Sequence, residues 1–216
     1  MTTRARRGLT VLILSLLALL PTRVLAQARP AGGQARQPVM IPDGMPAQDK
    51  EMLTLAVETS KRCGEVLEQW IVAKEVSEER LFSFLYYPVP KTDPPKFTTD
   101  WDRLSDRDIL PVEEGVLVRS ATISYAVLVD KFGYLPTHNQ RYAQPLTGNA
   151  ATDLVNNRTK RIFNDRVGLL AARSQGPYLL QRYQRDTGEN MLDVSVPVYV
   201  RGQHWGALRI GYQEAR

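Results

Sequence analysis

Arg158 and Arg161 stand three residues apart in Asn156-Asn157-Arg158-Thr159-Lys160-Arg161-Ile162-Phe163. On a helix that spacing puts both guanidinium groups on one side. Such a fork holds a carboxylate or phosphate through paired N–H donors. The rival reading is a solvated basic face shared with Lys160 and Arg166. His138 and Asn139 end an apolar stretch that begins at Tyr134. Polar residues at a strand end make good pocket walls, and they equally stabilise turns. Tyr183 and Trp205 offer flat faces that stack on a ring or an amine, or simply fill a core. Together these six residues outline a site for a small anionic or zwitterionic solute.

Other chemistries have less to stand on. No nucleophile elbow, phosphate loop or metal-ligand spacing is present in the sequence. Cys63 is the only cysteine and there are two histidines, His138 and His204. That set gives no zinc site, no intrachain disulfide and no cofactor signature. Cys63, in a helical pattern beside Gly64, reads as a small buried apolar residue. The expectation is a binding protein rather than an enzyme.

The site residues need elements to hold them. Residues 48–76 read as one long amphipathic helix, with Leu53, Val57, Cys63, Leu67, Trp70 and Ile71 near helical spacing. Prolines 88, 90, 94 and 95 then stop helix formation. From Thr122 the period changes to two. Ile123, Tyr125, Val127 and Val129 share one face, and Asp130-Lys131-Phe132-Gly133 turns the chain into a returning strand, Tyr134 to His138. Asp153 reads as the N-cap of a helix running to Phe163. Three strands follow: Leu179 to Arg185, a strand carrying Val194, Val196, Val198 and Val200, and His204 to Tyr212. Asp186-Thr187-Gly188-Glu189 reads as turn chemistry, with Arg185 and Asp193 pairing across the hairpin. Pro197 must sit at a bulge or an edge. Short turns make the sheet antiparallel, and the fold an α+β domain with helices on one face.

The N-terminus reads as an address. Arg4, Arg6 and Arg7 precede an apolar run from Leu9 to Leu20, and Ala26 and Ala28 follow in small-residue cleavage patterns. The run is too short to span a bilayer. The organisation expected is therefore a signal peptide over 1–28, a flexible lead-in over 29–47 and one domain over 48–216, located in the periplasm. The net charge of +5 is mostly the signal's: four arginines lie in residues 1–26, leaving 24 basic against 23 acidic groups. That balance gives no reason to expect a nucleic-acid partner.

The phrases Gly133-Tyr134-Leu135-Pro136-Thr137-His138-Asn139, Asn157-Arg158-Thr159-Lys160-Arg161-Ile162-Phe163, Tyr183-Gln184-Arg185-Asp186-Thr187-Gly188 and His204-Trp205-Gly206 resemble a set found in bacterial receptors. Their order over residues 48–213 is similar to the PAS-like or single-Cache extracytoplasmic sensor domains of methyl-accepting chemotaxis proteins. The resemblance implies a five-stranded antiparallel sheet, a long N-terminal helix that pairs in a homodimer, and a ligand pocket on one face of the sheet. Those receptors continue through a membrane helix into a cytoplasmic hairpin, whereas this sequence stops at Arg216. The implied output is therefore contact with a membrane receptor or kinase. Cys63-Gly64-Glu65-Val66 lacks the second Cys and the His of a covalent haem motif. The alternatives are a ligand-free exported scaffold, favoured by a filled sheet–helix interface, and an exported enzyme.

Overall fold

The computed structural model describes residues 39–214. The expected signal peptide and the first part of the lead-in lie outside them. The elements run α1 (Ala47–Val72), α2 (Glu78–Leu81), β1 (Tyr87–Val89), β2 (Lys96–Thr98), α3 (Asp102–Leu104), a π-helical turn (Ser105–Ile109) and α4 (Leu110–Leu117). They continue with β3 (Ile123–Asp130), β4 (Tyr134–Leu135), α5 (Ala150–Asn156), β5 (Arg161–Ile162), α6 (Arg166–Arg173), β6 (Leu179–Gln184), β7 (Asn190–Val200) and β8 (Gln203–Tyr212). Among the described residues no helix is long and apolar enough to cross a membrane.

The main sheet is antiparallel with the order β3-β8-β7-β6. It has four strands where five were expected. The returning strand is cut to β4, which pairs with β5 instead. Side chains do the missing strand's work on the free edge of β3. The Ala126 N–H donates to Asn139 Oδ1 at 2.8 Å, and the Leu128 N–H donates to Glu113 Oε1 at 2.8 Å. Buried backbone donors must be satisfied, and these two acceptors meet that need without a fifth ladder.

Alternation along the strands sorts two cores. On one face Leu192, Val194, Val196, Val198, Leu208 and Ile210 pack with Met52, Leu53, Leu67 and Trp70 of α1 and with Trp101, Ile109 and Val116. On the other, Tyr125, Val127, Val129 and Ala207 pack with Leu135, Phe163 and Ala172 of α6. Helices therefore cover both faces, not one. The apolar stripe of α1 that carried the homodimer expectation, Trp70 included, is buried against the chain's own sheet. Cys63 lies in that core, where burial pushes its thiol pKa up. Pro197 pairs with Ala207 past the end of β6, beside a register shift at Val198/Tyr199, so the ladder loses nothing at its missing N–H.

Candidate functional site

The second core is incomplete. A cavity of about 290 Å³ lies between the sheet and the segment that covers it. Its floor is Tyr125 and Val127 of β3, Tyr183 of β6 and Arg209 of β8. Leu135, His138, Arg158 and Phe163 form one wall, and the start of α6 forms another. Gln184, Arg185 and Asp186 stand at the rim, where β6 turns into β7.

Local chemistry fixes the cover. Gly133 takes φ +85°, which a side chain would strain, and its carbonyl accepts from the Phe163 N–H at 2.8 Å. A Cβ at Gly168 would stand 2.5 Å from the Phe163 carbonyl oxygen. The two glycines let Phe163 nest between the β3–β4 turn and α6. Asp165 caps α6, accepting from the N–H groups of Val167 and Gly168.

The charges of the floor are settled internally. Asp193 is fully buried and receives Arg209 Nε at 3.1 Å, Arg209 Nη2 at 2.8 Å and the Tyr125 hydroxyl at 2.5 Å. Burial works against the Arg209 charge, but the Asp193 carboxylate together with the Tyr125 and Tyr183 hydroxyls outweighs it and raises its pKa. The Tyr125 and Tyr183 hydroxyls lie 2.8 Å apart, and burial pushes both pKa values up, so both stay protonated. The walls are less settled. His138 is buried, and its Nδ1 has no hydrogen-bond partner. Desolvation, then the nearby charges of Arg158, Arg185, Arg161 and Arg141, hold its pKa well below the ordinary imidazole value. It is therefore held as the neutral imidazole. Arg185 lies over the rings of Tyr125 and Tyr142, at 5.6 and 5.3 Å, with Nη1 on the Glu189 carboxylate at 3.1 Å.

The structure brings together His138, Arg158 and Tyr183 on the cavity. It alters how the arginine pair is held. The helix expected over 153–163 stops at Asn156 and is capped by Asn149, not Asp153. Asp153 instead accepts from the Thr147 and Gly148 backbone, which bends the preceding loop. Arg158 and Arg161 thus share no helix face. They converge nevertheless: both lie over the Phe163 ring, at 5.2 and 4.9 Å, and both reach Asp186. Arg158 Nη2 is 2.9 Å from Asp186 Oδ1, and Arg161 Nη2 is 3.8 Å from Oδ2. Arg161 stands behind Arg158 rather than on the lining. Its pKa is pushed down to about 10, by burial first and then by Arg158.

Two expected site residues do other work. Asn139 is fully buried as the edge acceptor for Ala126. Trp205 is a correction: it lies on the opposite face of the sheet, in the α1 core. Its indole N–H donates to the Leu81 carbonyl at 3.0 Å, and its ring meets Trp101 edge-on. The reason is the bulge. Val198 pairs with Gly206 and Tyr199 with His204, so Trp205 is the extra residue of β8. One inserted residue flips a side chain to the other face. The cross-hairpin pair also changes, since Arg185 pairs with Glu189 and Asp193 with Arg209. Sequence reading missed Arg185, Arg209 and Asp186 as cavity residues. Residues 207 and 209 alternate with the apolar 208 and 210, and that period was the available signal for Arg209.

No family model matches this sequence, and no curated protein matches it. Among solved structures, an extracellular ligand binding receptor from Desulfohalobium retbaense DSM5692 is similar over 78% of this chain, with 13% identity and a TM-score of 0.38. This chain spans 26% of that receptor's length. A likeness of that size leaves the functional reading to the cavity.

Proposed function

We propose that this chain is an extracytoplasmic sensor domain of chemoreceptor type that binds a small anionic or zwitterionic solute in the cavity over Tyr125 and Tyr183. The carrying observation is an apolar-walled cavity edged by Arg158 and Arg185 and lined by buried His138, whose Nδ1 has no hydrogen-bond partner. A scaffold would have filled this interface. The solute's acid group meets Arg158, its polar edge meets His138, and its body lies against Phe163, Val127 and the two tyrosines. Asp165 at the margin suits the amine of a zwitterion.

Signalling then needs a solute that binds one arrangement of the cover better than another, with the difference passed by contact to a membrane partner. The test is a thermal-shift panel of small acids, amino acids and neutral sugars on the mature domain. A solute at about 100-fold its Kd stabilises the fold by about 2.7 kcal/mol. Acids should raise the melting temperature of the wild type and leave Arg158→Ala unmoved. A response to sugars alone, or an equal response in Arg158→Ala, overturns the reading.

A further inference from the structure

Asp186 carries the same sign as the solute and sits on the arginines that would receive it. The hairpin does not need an acid there. The Arg185 N–H donates to the Glu189 carbonyl at 2.8 Å, and the Gly188 N–H donates to the Arg185 carbonyl at 2.9 Å, with Gly188 at φ +91°. The turn is closed by these backbone bonds and by a glycine in the left-handed region, neither of which calls on the Asp186 side chain. The Asp186 carboxylate is instead aimed across the cavity rim. Both its oxygens lie within 3.1 Å of Arg158 Nη2, and one is 3.8 Å from Arg161. The Asp186 side chain is 39% exposed, while that of Arg158 is 7% exposed. A solvent-reachable acid is therefore latched onto a buried cation. One carboxylate serves two guanidinium groups, and Arg161 Nη1 is buried with no partner.

We propose that Asp186 is a tethered stand-in for the solute's acid group, and that an incoming carboxylate displaces it from Arg158 and frees the tip of the β6–β7 hairpin. This rests on reading the cavity as an anion site. It adds the solute class, a compact carboxylate with an apolar or aromatic body matched to Phe163, Tyr125 and Tyr183. It also names the moving part, residues 186–188, beyond the Arg185–Glu189 pair that holds the base of the hairpin. Competition from the latch weakens apparent affinity by the fraction of molecules that are unlatched.

The Asp side chain is in effect acetate on a chain, so acetate is the probe. Melting temperatures of the wild type, Asp186→Ala and Asp186→Asn are compared in acetate and in chloride at equal ionic strength. Acetate should stabilise both variants at concentrations on the order of tenfold lower than the wild type requires, and should not stabilise Arg158→Ala/Asp186→Ala. Hydrogen exchange of the Gly188 amide should be on the order of tenfold faster in Asp186→Asn than in the wild type, as expected for an unlatched tip. Equal acetate responses in wild type and variants overturn displacement and leave the anion site standing. No response in either variant overturns displacement too, whatever the wild-type panel shows, because that panel alone decides the sensing reading. An unchanged Gly188 exchange rate means the tip is not latched and defeats the proposal. Asp186→Asn keeps the shape of the turn and carries the test if Asp186→Ala does not fold.

Discussion

Arg209 is on the cavity floor, yet its charge is already answered, and that can be tested by taking the pair apart. Asp193 is fully buried and accepts two hydrogen bonds from Arg209, one from Tyr125 and one from Ser195. Asp193→Asn keeps the volume and removes the charge, leaving a buried guanidinium without a counter-ion. Arg209→Met keeps the length and strands a buried carboxylate. Breaking one side of such a pair costs about 3–5 kcal/mol. In the double variant neither charge remains, so its cost should fall short of the sum, with a coupling of about 2–3 kcal/mol. Urea unfolding of the four proteins at constant slope measures this directly. Additivity within about 0.5 kcal/mol would refute the pair as a coupled unit. The same variants bear on the site. Folded Arg209→Met should keep acid binding, because Arg209 holds Asp193 and not the solute. Loss of binding in Arg209→Met with retention in Arg158→Ala would reverse the assignment of charges.

Three further outcomes follow from individual contacts. His138 is held neutral in the fold, so the stability it contributes is present above its ordinary pKa and lost as pH falls through the lowered folded value. Against His138→Asn, the wild type should lose about 1 kcal/mol between about pH 7 and about pH 5.5, and a constant difference would show a normally titrating imidazole. Asn139→Ala leaves the Ala126 N–H buried without an acceptor and should cost about 1–3 kcal/mol with faster exchange at Ala126. Asn139→Asp, which keeps an acceptor, should protect that amide better, and equal exchange in the two would argue against the edge role. Gly168→Ala gains roughly 1 kcal/mol of helix propensity but forces Phe163 and α6 apart at a cost of about 1–3 kcal/mol. A net fall in the urea midpoint is expected, and a rise would mean the Phe163 contact gives way freely.

The strands were legible because burial alternates along them. Tyr125, Val127 and Val129 against Ala126 and Leu128 separate the two cores, and the Gly133 and Gly188 turns fall where positive φ is needed. The helix α1 was legible for the same reason at the helical period. The short β1–β2 pair and the helix α4 escaped, and so did events of a single residue. The bulge at Trp205 reverses one side chain without any change in composition. The helix before Arg158 ends where Asn157 takes φ −129° and Lys160 takes φ +59°, conformations a periodic pattern does not carry. The fifth strand was lost to Asn139 and Glu113, whose side-chain oxygens lie close to β3 only in three dimensions. Arg158 and Arg161 were singled out for helix spacing they do not have. They meet all the same, because β5 returns antiparallel to β4 and brings them over Phe163 toward Asp186.

The central claim is that the cavity over Tyr125 and Tyr183 receives an acid at Arg158. The most direct measurement is a crystal structure of the domain grown with the acid that gives the largest thermal shift. Density should lie inside the cavity, with the acid group within hydrogen-bond reach of Arg158 and a polar atom near the His138 ring. Density bound elsewhere, with the Arg158–Asp186 pair intact and the cavity empty, would contradict it.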